Sequence, residues 1–387
     1  MTKETCSIGS LHLNESLART GGAEIYVSNL AKSLQEHNVP VFLVSSRIET
    51  LELPKISYIL PKLNTEKDIH NIGKNVTKIK QIMEDNNLTI IHFHSINRPE
   101  LYYELASLFP MVRTIHDSRI VCPTEFRINR SGDICSISLG NNCLDCSNDS
   151  SDTIKENKNL LKALNTLKTL IVPSQYIKNQ LVLNGISENK INIISPFVSL
   201  DVKHISKIDS NYVSDVLFMG RIIRSKGLRE AIQSFAKIDR FNFVVCGDGP
   251  DSDTCKTMAS DLGVRDRVRF TGWVNNEEKW KYLSGTKVVI MPSMGPESFG
   301  LVGLESMFFK KPIIAFNSGG IVQWMKNGVN GYLIERGNIN QMAENLNKML
   351  TSNSLRDELG INGKNILDSE FSQEKHISKI TELYSRL

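Results

Sequence analysis

Met291-Pro292-Ser293-Met294-Gly295-Pro296-Glu297-Ser298-Phe299-Gly300-Leu301-Val302-Gly303-Leu304-Glu305 reads as a strand end, a loop and a helix in succession. The apolar run from Val288 to Met291 is a buried strand that stops at Pro292; a Gly/Pro loop follows, and a helix begins around Gly300. The first N–H groups of that helix, on Gly300, Leu301 and Val302, find no partner inside it and carry roughly +0.5 charge from its dipole. A diphosphate is a natural guest at such a terminus. Glu297 sits in the loop, where it can accept hydrogen bonds from sugar hydroxyls. Glu305 lies about 8 Å further along the helix, a distance suited to a ribose diol. A carboxylate takes two O–H donors well, because it offers about four lone-pair sites. The same spacing also suits two structural roles, a helix-capping charge and a solvated helix residue.

Working outward, apolar strand-like runs alternate with helical patterns along the whole chain, which predicts parallel sheets with crossover helices. In the first part the expected strands are Val39–Ser45, Thr89–His94, Val112–His116 and Thr169–Pro173, with helices over Gly22–Glu36 and Asn71–Glu84. The second series has strands at Val216–Gly220, Phe241–Gly247, Val268–Thr271, Val288–Pro292 and Pro312–Phe316, with helices over Gly227–Lys237 and Glu277–Ser284. The polar, aperiodic segment Asp201–Asn211 is the expected linker. This predicts an α/β protein of two Rossmann-like domains facing each other across a cleft. The expected boundaries are 1–205, 206–370 and a C-terminal helix over 371–387 that crosses back to the first domain. Such sheets bind ligands beyond the carboxyl ends of their strands.

Bulk properties agree with a soluble enzyme and exclude other classes. The chain has 387 residues, enough for two cores, with 40% hydrophobic and 23% charged residues. Lys+Arg against Asp+Glu is 21 to 20 in residues 1–200 and 25 to 22 in 201–387, so neither half carries a polybasic footprint for nucleic acid. No apolar run approaches the roughly 18–20 residues that span a bilayer. Met1-Thr2-Lys3-Glu4 lacks the apolar core of a signal peptide, which gives a cytoplasmic expectation, including the inner face of the membrane. Seven cysteines, an odd number, argue against a disulfide scaffold.

Glu297-x7-Glu305, set in Pro-Ser-x-x-Pro-Glu-Ser-Phe-Gly-Leu, resembles the signature of the retaining glycosyltransferases of family 4, which have the GT-B fold. The resemblance extends over nearly the whole chain. Gly220-Arg221-Ile222-Ile223-Arg224-Ser225-Lys226-Gly227 follows the first strand of the second domain, and two cations beside a helix N-terminus clamp a pyrophosphate well. In the family this arginine and lysine stabilise the leaving diphosphate, which implies Arg221 and Lys226; Arg224 is off the motif and reads as a solvated turn. Thr20-Gly21-Gly22-Ala23-Glu24 opens the first helix, and glycine permits close approach of a phosphate. The family's loop at Gly21 and Gly22 lies near the donor diphosphate and the acceptor. The resemblance likewise implies that His116, at a strand end, contacts the donor sugar near the reacting carbon. It places backbone groups near Val274, in Phe270-Thr271-Gly272-Trp273-Val274, at the nucleobase. It also places Gly249, in Cys246-Gly247-Asp248-Gly249-Pro250, at the nucleotide. Phe299, Gly300 and Leu301 complete the donor side. Ser318-Gly319-Gly320 resembles another family loop. Two departures from the commoner pattern are Gln323, where Glu is usual, and Lys310, where Gly is usual.

Three further features stand apart from that motif set. Cys122, Cys135, Cys143 and Cys146 form a Cys-rich insert over about 122–146 that ends in C-x2-C, a spacing suited to structural zinc. Some family relatives carry a similar insert. Four reduced thiols or an iron–sulfur cluster are the other readings. His92 and His94 alternate on a strand and face one side, as metal ligands, as part of the acceptor side, or as packing residues. Lys155, Lys158, Lys162 and Lys168 interleave with Leu160, Leu161, Leu164 and Leu167, either as a surface helix over the core or as a peripheral contact with an anionic membrane or a lipid-linked acceptor.

The resemblance implies transfer of a sugar from a nucleotide-sugar donor to a glycan, lipid-linked or other hydroxyl acceptor, with retained configuration, in cell-surface polysaccharide or glycoconjugate synthesis. Arg221, Lys226, Glu297 and His116 are the expected catalytic set. The nucleotide sugar is a co-substrate, and no catalytic cofactor is expected. A non-catalytic nucleotide-sugar-binding protein and a sugar-nucleotide epimerase are the alternatives on the same architecture.

Overall fold

The structure, a computed structural model, describes residues 8–17, 21–47, 57–64, 69–124, 126–146, 150–199 and 210–387. Thr20, and the expected linker up to residue 209, lie outside them. The chain forms two compact units. One comprises Met1–Glu125, Cys135–Pro196 and Gln373–Leu387; the other comprises Phe126–Ile134 and Phe197–Ser372. This division differs from the expected boundaries in the short segment Phe126–Ile134, which belongs to the second unit. There Ile128 and Ile134 form an antiparallel bridge, and the Arg336 guanidinium donates to the Gly132 carbonyl at 2.8 Å and to that of Met294 at 3.2 Å.

In the first unit the strands are β1 (Ser10–Ser16), β2 (Val41–Arg47), β3 (Ser57–Ile59), β4 (Ile90–Phe93), β5 (Met111–Thr114), β6 (Thr169–Val172) and β7 (Ile191–Ile193). They form one parallel sheet in the order β3-β2-β1-β4-β5-β6-β7. Its helices are α1 (Gly22–Glu36), α2 (Ile69–Asp85), α3 (Pro99–Ala106), α4 (Ser150–Leu164) and α5 (Gln175–Leu183). α1 forms because Tyr26, Val27, Leu30, Ala31 and Leu34 recur at helical spacing and are buried. The sequence reading missed β1, an interior strand flanked by β2 and β4. Its residues Ser10, His12, Asn14 and Ser16 are polar, so SLHLNES lacks the continuous apolar run of a buried parallel strand, although it is buried almost throughout.

The second unit holds β8 (Ser214–Met219), α6 (Leu228–Phe235), β9 (Phe243–Cys246), α7 (Ser252–Asp261), β10 (Val268–Gly272), α8 (Asn276–Gly285), β11 (Thr286–Met291), α9 (Leu301–Phe308), β12 (Ile313–Phe316), β13 (Gly331–Ile334), α10 (Ile339–Thr351) and α11 (Asn353–Glu370). The final helix, α12 (Gln373–Ser385), belongs to the first unit. The second sheet is parallel, in the order β10-β9-β8-β11-β12-β13. Both sheets therefore reverse their strand order beside the first strand, the doubly wound Rossmann arrangement. In the second unit the reversal falls between β8 and β11, paired through Val216↔Val288 and Leu217↔Val289. The quoted loop leaves β11 at this point, and the Arg221–Lys226 loop leaves β8. Helix starts are fixed locally; α8, for example, opens with a capping box in which Asn275 and Glu278 exchange side-chain and backbone bonds. Among the described residues no helix is long and apolar enough to cross a membrane.

Candidate active site

Within the second unit the loop from Pro292 to Phe299 is held on three sides. The Gly295 N–H donates to the Ser225 carbonyl at 2.8 Å, the Ser318 hydroxyl to the Gly295 carbonyl at 2.8 Å, and the Gly320 N–H to the Glu297 carbonyl at 2.7 Å. Gly227 explains the close seat of the neighbouring loop. Its φ is +70°, and a Cβ there would meet the Pro292 carbonyl oxygen at 1.8 Å, so only glycine fits. The Ser318-Gly319-Gly320 loop is thus the brace of Glu297, and it runs beside it as a parallel bridge from Glu297 to Gly319.

Glu297 projects into this frame with two partners on one oxygen. Lys226 Nζ donates to Oε1 at 2.6 Å and Ser293 Oγ at 2.5 Å. Burial alone would raise its carboxyl pKa; the charge and hydrogen bond of Lys226, the Ser293 hydroxyl and the charge of Arg221 outweigh that and hold it below 4.5. Glu297 is therefore ionised at neutral pH, as a hydroxyl acceptor must be. Arg221 is exposed, and its side chain makes no hydrogen bond or ion pair among the described residues, so its guanidinium is available to an anion. Arg224 is not available, because it pairs with Glu230 at 2.6 Å.

The helix expected from Gly300 is α9, with Gly300 as its N-cap at φ +87° and Leu301 as its first residue. The Trp324 indole N–H donates to the Phe299 carbonyl at 2.6 Å, and Gly303 lies so close to that ring that a Cβ would meet it at 2.1 Å. These contacts aim the helix start. The Phe299 ring is buried and set edge-on to Phe371, so its side chain serves packing.

Glu305 is not a solvated helix residue. Its side chain is 8% exposed and receives Lys279 Nζ at 2.5 Å on Oε1, whereas Oε2 is buried without a hydrogen-bond partner. An unpaired buried carboxylate oxygen costs about 1–3 kcal/mol. Nothing in the sequence marked Lys279, which comes from the preceding helix α8. Gly249 leaves β9 with φ +156° and would place a Cβ 2.4 Å from the Ile222 carbonyl. The Gly247 N–H donates to the Gly272 carbonyl at 2.9 Å, which sets the Trp273–Val274 loop beside that strand end. Val274 is half-buried, and Trp273 is 59% exposed.

Gly21, Gly22 and His116 stand in the first unit. Gly21 is the extended N-cap of α1, and Gly22 is its first residue. His116 follows β5, and its Nε2 lies 3.2 Å from His94 Nδ1. Burial lowers its pKa to about 4, against a raising effect of Asp117. His12, His92 and His94 each bring a ring nitrogen within 4.8 Å of the others, the one such group among the described residues. Every nitrogen in it already has a hydrogen-bond partner: His12 with His94, Ser10 and Tyr384; His92 with Tyr384 and Thr114; His94 with His12 and His116. His92 and His94 do face one side, with rings stacked at 4.2 Å, as members of this hydrogen-bonded cluster.

Cys122, Cys135, Cys143 and Cys146 do not form a group of three or more converging ligands among the described residues. Cys143 is buried in the first unit's core with Leu139, and Cys122 Sγ lies 3.2 Å from Thr124 Oγ1 in its own loop. The short helical turns at Arg119–Val121 and Asn141–Asp145 pack against α4. The leucine stripe expected to face the core does so, since Leu160, Leu161, Leu164 and Leu167 are buried. Lys155, Lys158 and Lys162 line a cavity of about 340 Å³ with Asn141, Leu144 and Ile154.

Residues 20–202 match the family described as Glycosyltransferase Family 4, and residues 206–366 match Glycosyl transferases group 1. The lipopolysaccharide core biosynthesis glycosyltransferase LpsE of Rhizobium meliloti is 33% identical over 172 residues, which cover 44% of this chain and 48% of LpsE. This chain thus aligns with about half the length of that relative. The uncharacterized glycosyltransferase MJ1178 of Methanocaldococcus jannaschii is 27% identical over 95% of both chains. The fold is shared with Anabaena Alr3699/HepE, solved with UDP and glucose, at a TM-score of 0.75 and 18% identity over 98% of this chain and 100% of that one. A glycosyltransferase from Rickettsia africae gives a TM-score of 0.75 at 20% identity over 98% of both. The two doubly wound sheets and the two family matches, which together account for most of the chain, agree: this chain belongs to the family 4-like glycosyltransferases of GT-B architecture.

Proposed function

We propose that this chain is a retaining glycosyltransferase that moves a sugar from a nucleotide-sugar donor to a hydroxyl acceptor, a glycan or a lipid-linked carrier, in cell-surface polysaccharide or glycoconjugate synthesis. The observation that carries this reading is the cluster of Lys226, Glu297 and Ser293 at the switch point between β8 and β11. It sets a cation and an ionised carboxylate side by side where a doubly wound sheet takes its ligand. The donor nucleotide binds the second unit and the acceptor the first. Arg221, Lys226 and the start of α9 stabilise the diphosphate as it leaves. Glu297 accepts hydroxyls of the transferred sugar, His116 contacts it near the reacting carbon, and ribose hydroxyls supply the donors that Glu305 Oε2 lacks. Front-face attack, with the leaving phosphate taking the acceptor proton, retains the anomeric configuration. Protein cations do the neutralising, so chelators leave turnover unchanged. The similarity to LpsE, a lipopolysaccharide core biosynthesis glycosyltransferase, supports a role in surface polysaccharide, and the UDP and glucose held by HepE make a UDP-hexose the first donor to try.

Arg221→Ala and Lys226→Ala are each expected to lower turnover by about 10²–10³-fold, measured as UDP release in the presence of acceptor. Wild-type turnover in either variant, or an inverted product by NMR, overturns the reading. The lysine-lined cavity on α4 suits an anionic lipid-linked acceptor or membrane surface. Co-sedimentation with anionic vesicles is expected to drop in a Lys155/Lys158/Lys162 triple Ala variant, and background binding by the wild type would remove that part.

A further inference from the structure

In the first unit the strand order reverses between β1 and β4, and the carboxyl ends of the strands there carry a group of polar side chains outside the donor motifs. Along β1, Glu15 follows Leu11 and Leu13 onto one face of the sheet. The register Leu13↔Phe93↔Arg113 sets Arg113 of β5 on that same face. Hydrogen bonds join these two residues through a pair of asparagines. Arg113 Nη2 donates to Asn97 Oδ1 at 2.7 Å, the Asn97 main-chain N–H donates to Asn64 Oδ1 at 2.6 Å, and Asn64 Nδ2 donates to Glu15 Oε2 at 2.9 Å. Both amides are thereby held in one orientation, because the groups that face their oxygens can only donate. A guanidinium has no lone pair, so Asn97 turns Oδ1 to Arg113 and Nδ2 away from it. The Asn97 N–H likewise takes Asn64 Oδ1, which leaves Asn64 Nδ2 for Glu15. Arg113 is itself only 5% exposed, and it has no ion pair among the described residues. Its Nη1 donates to the Ile96 carbonyl at 2.8 Å and to the Tyr102 hydroxyl at 2.6 Å. Burying a cation among neutral acceptors is costly, and here its bonds fix the chain at Ile96 and the amide of Asn97. Two polar groups are left open by this network. Asn97 is exposed and its Nδ2 has no partner among the described residues; Glu15 is half-buried and its Oε1 has none either.

We propose that Glu15 and Asn97 form a subsite for hydroxyl groups of a neutral sugar in the acceptor, Glu15 Oε1 accepting from one hydroxyl and Asn97 Nδ2 donating to another. Asn64 and Arg113 are positioning residues that act through them. The role of that sugar as acceptor rests on the proposed function; its binding here does not. The chemistry of the two open groups selects the ligand class. A carboxylate oxygen takes a hydroxyl proton and repels a phosphate or a second carboxylate, and the amide beside it supplies the donor that a hydroxyl oxygen needs. The place agrees, since a doubly wound sheet takes its ligand beyond the carboxyl ends of its strands where their order reverses.

The test is saturation-transfer NMR on the full-length chain with UDP present. The probes are the methyl α-pyranosides of glucose, galactose and mannose, with glycerol 1-phosphate as the anionic control. Two variants keep the inner hydrogen bond and change only the outward group. In Glu15→Gln the amide oxygen still accepts from Asn64 and an NH2 turns outward; in Asn97→Asp the carboxylate still accepts from Arg113 and an oxygen turns outward. At least one hexoside is expected to bind the wild type. Glu15→Gln should weaken it about tenfold and Asn97→Asp about fivefold, the worth of a charged and a neutral hydrogen bond, with UDP affinity and the far-UV thermal midpoint unchanged. No hexoside binding by the wild type, an unchanged hexoside affinity in both variants, or tighter binding of glycerol phosphate than of every hexoside overturns the subsite. Arg113→Lys is expected to weaken the hexoside about fivefold alone and no further in the Asn97→Asp background, where the outward N–H is already gone. Additive losses there overturn the positioning role of Arg113. Hexoside binding that weakens as expected, but with no sugar transfer to any hexoside from UDP-hexoses, would support the subsite and sink the transfer reading. Transfer whose acceptor KM neither Glu15→Gln nor Asn97→Asp changes would do the reverse.

Discussion

Lys279→Met would strip the cation from a carboxylate that has almost no other support. Glu305 is 8% exposed and Lys279 16%, with Nζ and Oε1 at 2.5 Å, and Oε2 already lacks a partner. Removing one member of a fully buried pair costs about 3–5 kcal/mol; some water reaches Lys279, so the lower end, about 3 kcal/mol, applies. Glu305→Gln leaves an ammonium that keeps its seat 4.6 Å from the Trp280 ring centroid and costs less, about 1–2 kcal/mol. In the double variant neither charge is buried alone, so its cost should fall about 2 kcal/mol short of the sum of the singles. Urea unfolding followed by tryptophan fluorescence measures this cleanly. The chain has three tryptophans, Trp273, Trp280 and Trp324, and all lie in the second unit, so the signal reports that unit alone. If ribose hydroxyls fill the vacancy at Oε2, Glu305→Gln should also weaken UDP binding about tenfold. Lys279→Met within about 0.5 kcal/mol of wild type, or strictly additive singles, would refute the account of Glu305 as a buried, half-satisfied carboxylate.

Two other outcomes follow from the same physical terms. In the first unit, unfolded histidines bind protons near 6.5, whereas folded His12, His116 and His376 do so only at about 3 to 4, so protons favour the unfolded chain and stability present above about pH 6.5 is lost as the pH falls. Each such histidine contributes a slope of up to about 1.4 kcal/mol per pH unit, so the urea midpoint by far-UV circular dichroism should fall between about pH 6.5 and 4.5 before the tryptophan-reported midpoint moves; a flat midpoint over that range would contradict the buried neutral cluster. In the second unit, Lys310 occupies a left-handed conformation, φ +54°, which costs about 1–2 kcal/mol for a side-chain residue. Lys310→Gly removes that strain against about 0.5–1 kcal/mol of added chain entropy, a net gain of about 0.5 kcal/mol by tryptophan-monitored unfolding. A loss of stability there would show that the lysine side chain earns its place by contacts.

The stretch from Pro292 to Glu305 was legible because each of its signals is local. A β-branched run stopped by proline, a glycine at positive φ and an apolar helix face all act within a few residues, and together they place strand, loop and helix with little help from the rest of the chain. The preference for glycine at position 310 likewise has a local cause in φ, although only the structure displays it. The contacts of Lys279, Ser318 and Trp324 escaped notice for the opposite reason. They come from three other segments and matter to Glu305, Gly295 and Phe299 only because the sheet order brings those segments together.

The histidine cluster shows the limit most clearly. Reading buried strands by their apolar runs assumes that the interior excludes polar side chains, yet burial costs little when every polar atom finds a partner. β1 uses that exception. Ser10, His12 and Asn14 line its polar side, and the partners of His12 and Asn14 outside the strand lie in the loop after β4 and on α12, up to 372 residues away, as in the Tyr384–His12 contact. No window along the chain contains both halves of such a pair, so SLHLNES resembles an exposed strand or a loop. One of the polar residues that hide β1 from a sequence reading, His12, is hydrogen-bonded both to Tyr384 and to His94, which in turn meets His116. An interior strand given over to satisfied polar groups is an expensive way to build a core, because each buried donor and acceptor has to be matched by a partner that the fold brings from elsewhere.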